Sequence, residues 1–550
     1  MPPSQAPWRI WISHALSVLL VLFVALASFR PLFSSTPTML FFEDDFFYYL
    51  KVAGNLAHGA GSTFNGIVPT NGYHPLWLLL LTAVSFFTSN LHTILAFVAS
   101  TLFLCTVSIY VLTRRLLTSS GVEILLSSAL AVYATAYAMH VIFGGMEVTL
   151  TVPLVLLVVH LARRPDLLGG GPKPFALLGL ATSAMILSRL DTLLLAALIL
   201  LSVLNHGELR RQLRPRSLAA LALGLLPVFL YFASNLLLFH TLLPVSGAAK
   251  QLKTNLLPSS PAWISAYDRP LSQLVNLLPI LVAIALLLLH RKPSPTEALT
   301  RPSHTPAPLS LSLSALDRAV FLPALAFPFL YIALLSCRSD WQLWGWYLYP
   351  FRSAFCVSLV VLCALSAVRE LLSRPAAIGL LALFVLTRLP GLHWPTAGRE
   401  AIYEAALDLQ TFSATHPGVY AMGDRSGMVA YLVPNPVVQT EGLMMDRNFL
   451  DAIRRGDSLH PVLARYGVRY YIGTSHPPVT GCFQAVEPSQ AGPASPHMHD
   501  QFCAPPLATY LHRGYQTLVY DLDASSESES RPSNPNGRLD PTPTRAPTPR

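Results

Sequence analysis

Apolar positions in this chain fall in long blocks, and the segments between the blocks carry nearly all of the charge. With a rise of about 1.5 Å per helical residue, the blocks near 10–29, 92–112, 123–143, 147–162, 174–188, 192–205, 217–239, 272–290, 319–336, 351–368 and 375–388 predict eleven membrane helices. The first follows a single arginine, lacks a small-residue cleavage site and runs straight into Arg30-Pro31, so it reads as a retained signal anchor with a cytoplasmic N-terminus. A further run, Leu76 to Phe87, is short and begins directly after Pro75. It reads either as a twelfth span or as a helix lying in the interface or re-entering it. The non-crossing reading is preferred because it puts Arg114-Arg115, Arg163-Arg164, Arg210-Arg211, Arg291-Lys292 and Arg369 with Arg374 all on the cytoplasmic side.

After Pro390 the pattern changes. Helix-like stretches at Glu400–Gln410 and Phe449–Arg455 alternate with β-branched or aromatic runs at Val419–Met422, Val437–Thr440 and Val468–Ile472, the signature of a small α/β domain. The expected organisation is a transmembrane domain over 1–394 with its first external loop at 30–91, an extracytoplasmic α/β domain over 395–523, and a disordered Ser/Pro-rich tail over 524–550. Cys482 and Cys503 are the only cysteines of the α/β domain. A disulfide between them and two free thiols are equally compatible with their spacing.

Composition narrows the class further. Only 12% of the 550 residues are charged and 53% are apolar, about half the charge of an average soluble domain. Mean hydropathy is +0.49. These values exclude a soluble multidomain enzyme and describe a polytopic α-helical membrane protein with eleven or twelve transmembrane helices and a C-terminal extracytoplasmic α/β domain. The net charge of +9 is accounted for by orienting loops, so no nucleic-acid partner is inferred.

The unusual polar residues gather at the outer ends of the predicted helices. Glu43-Asp44-Asp45 lies just beyond the first span, followed by Phe46-Phe47-Tyr48-Tyr49. Adjacent carboxylates hemmed in by aromatics call for raised pKa values or a cationic partner, conditions that suit a general base or a cation site; a solvated helix cap is the alternative. In Thr70-Asn71-Gly72-Tyr73-His74-Pro75, the Asn-Gly turn brings Tyr73 and His74 back toward the acids. Glu147 follows Gly144-Gly145-Met146 and reads as a helix cap or a substrate ligand. Arg189 and Asp191 break an apolar hairpin and read as an ion pair or as a lipid-phosphate seat. Pro244-Val245-Ser246-Gly247-Ala248-Ala249-Lys250 offers small residues and a mobile cation for a phosphate. Trp346 and Tyr347 belong to an aromatic girdle that reads as an interfacial belt or as a platform for sugar rings.

No Gly-x-x-x-x-Gly-Lys-Ser/Thr loop, His-Glu-x-x-His site or Gly-x-Gly-x-x-Gly fingerprint occurs, so ATP-driven transport, zinc proteolysis and dinucleotide chemistry lack support. His497-Met498-His499 reads as a surface loop rather than a metal site.

Taken together, Asp44-Asp45-Phe46-Phe47-Tyr48-Tyr49-Leu50, Thr70–Trp77, Gly145-Met146-Glu147, Arg189-Leu190-Asp191, Pro244–Gly247 with Lys250 and Trp346–Pro350 resemble the GT-C superfamily of polytopic glycosyltransferases, over roughly 10–390. That superfamily includes protein O-mannosyltransferases, aminoarabinose transferases and arabinofuranosyltransferases. One departure is Val148, where similar bacterial sequences often carry Thr. The resemblance implies a bacterial inner-membrane enzyme with its site outside the cytoplasm. Such an enzyme moves a sugar from a polyprenyl-phosphate donor to a cell-envelope glycan, lipid or protein by inverting displacement. Asp45, beside the aromatic run, is the first choice for the base, with Asp44 orienting the acceptor or balancing the cation, and the resemblance implies Arg189 and Lys250 on the donor phosphate. Glu147, Asp191, His74, Tyr73, Trp346 and Tyr347 would then contact substrate. Some oligosaccharide-transferring relatives need a divalent metal at the acids, here Asp44 and Asp45, whereas single-sugar transferases commonly do not. The competing function is a transporter or flippase for a lipid-linked or anionic substrate, which predicts ionisable groups deep in the spans and on both sides of a path.

Overall fold

The computed structural model describes residues 7–259, 270–289, 313–374, 379 and 396–523. Most of the expected span at 375–388, and the tail at 524–550, lie outside the described residues. Among the described residues, twelve principal helices precede the C-terminal domain: α1 (Pro7–Phe33), α2 (Asp44–Ala57), α3 (Pro75–Phe87), α4 (Leu91–Ser119), α5 (Ile124–Ile142), α6 (Val148–Ala162), α7 (Pro172–Ser188), α8 (Leu193–Leu204), α9 (Pro215–Phe239), α10 (Pro270–Leu289), α11 (Ala315–Arg338) and α12 (Tyr349–Cys363). The starts follow local chemistry. Proline occupies the first turn of α3, α7, α9 and α12, where its missing N–H costs no hydrogen bond. Asn90 caps α4, and Ser314 with Asp317 forms a capping box on α11.

The protein is a polytopic α-helical membrane protein with a C-terminal α/β domain. Six described helices are both long and apolar enough to cross a membrane: α1, α4, α5, α9, α11 and α12 with the turn before it. Of the remaining predicted spans, α6 and α8 are shorter and sit against the bundle, with Val152, Leu156, Val159, Leu195 and Ile199 buried. The run after Pro75 forms the 13-residue α3, about 20 Å long and shorter than a hydrocarbon core of about 30 Å. It packs on α2. At the crossing of α7 and α9, Gly179 and Gly224 face one another so closely that a Cβ on Gly224 would lie 2.7 Å from the Ala176 carbonyl oxygen, the small-residue contact by which membrane helices approach.

Polar groups divide between the two ends of the bundle. At one end Arg9 pairs with Glu123 at 2.9 Å, Arg163 pairs with Asp317 at 2.8 Å, and Arg369 donates to the Gly121 carbonyl. The opposite end carries α2, the Asn71 turn, Glu147, Arg189, Lys250 and the C-terminal domain.

That domain comprises α13 (Ala397–Thr415), β1 (Val419–Met422), α14 (Ser426–Leu432), β2 (Val437–Gln439), α15 (Arg447–Arg455), α16 (Leu459–Arg465), β3 (Val468–Ser475), β4 (Phe483–Glu487), β5 (Met498–Phe502), β6 (Ala508–His512) and β7 (Tyr515–Asp521). Its five-stranded sheet has the order β2-β1-β3-β7-β6. The β2-β1-β3 half is parallel and the β3-β7-β6 half antiparallel. A separate hairpin, β4-β5, is joined beside the Phe483–Phe502 pair by a disulfide between Cys482 and Cys503. Docking onto the membrane part joins apolar packing, with the Phe47 and Tyr431 rings 5.7 Å apart, to polar contacts. Arg399 of α13 pairs with Glu43, and Asp340 accepts the Ala494 N–H at 2.7 Å.

Candidate active site

The three adjacent acids have separate fates. Glu43 pairs with Arg399. Asp44, at the start of α2, accepts the Gly427 and Met428 N–H groups at 2.8 Å each, so its carboxylate neutralises the open N-terminus of α14. Burial pushes its pKa up to about 7 in spite of those N–H bonds. Asp45, one residue on, turns the other way into a small cavity of about 60 Å³. Its pKa is pushed up to about 6 by burial, with the Lys250 ammonium pulling down and Asp424 and Glu147 pushing up. Asp44 and Asp45 therefore face different surroundings. Adjacent side chains on a helix point about 100° apart, and only Asp45 faces the cavity.

The Gly-Met-Glu and Arg-Leu-Asp patches meet behind it. Glu147 precedes α6, but its side chain makes no capping hydrogen bond. It is 1% exposed and accepts from Tyr49 at 3.0 Å and from Arg189 at 2.5 Å. Arg189, 3% exposed, also donates to Asp191 at 2.9 Å. Asp191 in turn accepts from Tyr331 and Tyr349 at 3.0 and 2.8 Å. Arg189 is thus both ion-paired and in the cavity wall, whereas Asp191 braces it from outside that wall. His74 Nε2 lies 3.7 Å from Glu147, and His74 Nδ1 accepts the Leu190 N–H. Burial lowers the His74 pKa more than Glu147 raises it, which favours the neutral ring. Tyr73 reaches the cavity while its hydroxyl shares a 2.6 Å bond with Ser62.

Lys250 faces Asp45 across the cavity. Burial lowers its pKa, but Tyr347 and Asp45 outweigh burial and hold it above its ordinary value. Its ammonium donates to the Tyr347 hydroxyl at 2.7 Å and, in contrast to Arg189, has no carboxylate within ion-pair distance among the described residues. Trp346 and Tyr347 form the adjoining wall, with Trp344 stacked on Trp346 at 5.8 Å.

No family model matches the sequence, and no curated protein matches it significantly. Among solved structures, the chain is similar to ArnT from Cupriavidus metallidurans, crystallised in the apo state. The TM-score is 0.51 over 84% of this chain and 92% of that one, at 12% sequence identity. The likeness is one of fold.

Some of the site was invisible in the sequence. Leu443 and Met444 of the C-terminal domain complete the cavity, and nothing in a short loop after β2 signals that it roofs a pocket hundreds of residues away. Asn71 works indirectly. Its amide accepts the Val245 N–H at 2.9 Å and donates to Thr241 and Asn235, pinning the segment that carries Lys250. Among the described residues no three His, Cys, Asp or Glu side chains converge as a metal site. With Asp44 committed to α14 and Glu147 to Arg189, Asp45 has no second free carboxylate beside it, and this donor set does not fit a divalent ion. His497 contacts the Ala491 carbonyl, and Cys503 is in the disulfide, so that cluster offers no thiolate.

Proposed function

We propose that this protein is an integral membrane glycosyltransferase that moves a sugar from a polyprenyl-phosphate donor to an acceptor outside the cytoplasm, with inversion at the anomeric carbon. The observation that carries the reading is a carboxylate, Asp45, and a charged amine, Lys250, facing one another in a cavity walled by Tyr and Trp at the end of the bundle where the C-terminal domain docks. The fold shared with ArnT, an aminoarabinose transferase, supports the reading, as does the resemblance of the sequence patches to GT-C enzymes. The disulfide and the gathering of arginines at the far end support an extracytoplasmic site.

Asp45 takes the proton of an acceptor hydroxyl as its oxygen attacks the anomeric carbon, and the bond to the donor phosphate breaks on the opposite face. The phosphate oxygen leaves with the electron pair, stabilised by Lys250. A pKa of about 6 leaves Asp45 mostly ionised at neutral pH, yet basic enough to take the proton. Arg189, paired with Glu147 and Asp191, holds the cavity wall.

The test is transfer from a panel of polyprenyl-phosphate sugars by the purified protein and by its Asp45→Asn variant. Loss of transfer in the variant by about 10²- to 10⁴-fold, with donor still bound, is expected. Transfer at the wild-type rate by Asp45→Asn would sink the mechanism. Movement of lipid-linked sugar across a vesicle membrane without any transfer would replace it with the transporter reading.

A further inference from the structure

A cleft of about 550 Å³ stands back to back with the Asp45 cavity. Three pairs of chain neighbours divide the two. Asn71, Val245 and Met445 line the cleft, while Gly72, Ser246 and Met444 line the Asp45 side. Consecutive Cα atoms are about 3.8 Å apart, so the partition is a single residue thick at each of these places. Asn71 is tied to the Val245 N–H, whereas Met444 and Met445 have unbranched side chains that repack readily. The methionines are therefore the yielding part of the partition.

The mouth of the cleft has two unlike sides. One is the end of α9, where Leu238 and Phe239 line it. Leu237 and Leu238 are 76% and 67% exposed, and exposed Leu242 and Leu243 carry the apolar surface past the helix end. Because α9 is long and apolar enough to cross a membrane, this side is continuous with the lipid-facing surface of the bundle. The other side is the first turns of α15, with Arg447, Asn448 and Asp451.

The two sides select an occupant of double character. A hydrocarbon alone would strip water from Arg447 and Asp451 without replacing it, and a soluble polar molecule would leave the leucines of α9 uncovered. An anionic headgroup would meet one guanidinium against the carboxylates of Asp446 and Asp451. That guanidinium already donates to the His240 carbonyl at 3.2 Å and lies 3.8 Å from Asp451, so a donor phosphate has its better seat at Lys250. Asp446 is engaged by the Phe449 N–H and the Tyr466 hydroxyl. Exposed Asn448 and part-exposed Asp451 are left to meet the hydroxyls of an uncharged headgroup.

We propose that this cleft seats the acceptor and that the acceptor is a neutral, hydroxyl-headed lipid of the outer leaflet, its chain along the α9 leucines and its headgroup between α15 and the partition in front of Asp45. The acceptor role rests on the transferase reading, whereas lipid binding itself does not. The test places the full-length protein in nanodiscs with a glucosyl diacylglycerol carrying a diazirine on its glucose ring, and maps the photo-labelled peptides by mass spectrometry. Labelling within 446–451 is expected, and excess unlabelled glucosyl diacylglycerol should displace it. Asn448→Trp, which fills the mouth from an exposed position, should cut the labelling by about ten-fold or more with the thermal midpoint preserved. Methyl glucoside bearing the same diazirine should not label. Absence of labelling at 446–451, labelling unchanged in Asn448→Trp, or equal labelling by the soluble glucoside overturns the lipid site. Stronger labelling by a diazirine analogue of polyprenyl phosphate gives the cleft to the donor and overturns its assignment to an acceptor. With the glycolipid as acceptor, Asn448→Trp should raise the acceptor KM and leave the donor KM unchanged. Transfer with an unchanged acceptor KM in that variant overturns the acceptor site and leaves the transferase reading standing. The expected labelling in a protein that never transfers sugar keeps the lipid site and removes the acceptor role.

Discussion

Asp44 and Asp45 differ in what each carboxylate faces, and their titration should differ with it. Asp45 must be ionised to act as base, so kcat/KM is expected to fall about ten-fold per pH unit below about 6. A pH–rate profile with no acid limb there would remove Asp45 from that role. Asp44 acts on stability. Its folded pKa of about 7 lies above the ordinary aspartate value of 3.8, so the folded state binds the proton more tightly than the unfolded chain, and stability falls as pH rises between roughly 4 and 7. Glu487, also raised to about 7 by burial, acts in the same direction. The thermal midpoint should therefore be lower at pH 7.5 than at pH 5.5, and Asp44→Asn should shrink the difference without abolishing it. An unchanged difference would place the titration elsewhere. The two cations diverge as well. Lys250→Gln should weaken donor binding with the fold intact, by roughly 1.5–3 kcal/mol for a charge-assisted hydrogen bond. Arg189→Gln leaves Glu147 and Asp191 as buried carboxylates without their cation, a change that typically costs about 3–5 kcal/mol, so it should lower the thermal midpoint strongly. Donor titration and thermal unfolding of both variants separate the roles; equal stability of the two would mean that Arg189 is not the brace.

Elements meet at this site through positions that look like turn chemistry in the sequence. Asn71-Gly72 does form a turn, yet its residues serve two partners: Asn71 ties down the Lys250 segment, and Gly72 lies against the Leu443 carbonyl with no space for a Cβ. A side chain at 72 would push the 440–445 loop, and with it Leu443 and Met444, off the cavity. Gly72→Val is therefore expected to reduce transfer more than it reduces donor binding, because Lys250 and Tyr347 are untouched while the roof is displaced. Parallel kcat and donor Kd measurements check this, and a loss confined to donor affinity would contradict it. Helix α3 packs its 13 residues on α2 and steadies the helix that carries both aspartates.

At the scale of the molecule, the C-terminal domain is joined to the site by Asp44, Gly72, Asp340 and Glu43, so it must share a side of the membrane with them. Reporters fused after Gly121 or Arg216 are expected to read cytoplasm, and one after Asn255 the exterior; a cytoplasmic signal at Asn255 would invert the molecule and deny the site an external acceptor. The sequence by itself determined the six long apolar helices among the described residues, several strands and helices of the α/β domain, and the patches that supply most of the cavity. It could do so because burial in lipid or in a sheet demands local apolar periodicity and because charge is excluded from the spans. Only the tertiary structure decided which patch does what: Asp44 to a helix terminus and Asp45 to the cavity, Arg189 to two carboxylates and Lys250 to none, Leu443 and Met444 to the roof. Those assignments depend on partners far away in the chain, and a side chain's charge state and role are set by what surrounds it in space, which local sequence does not encode.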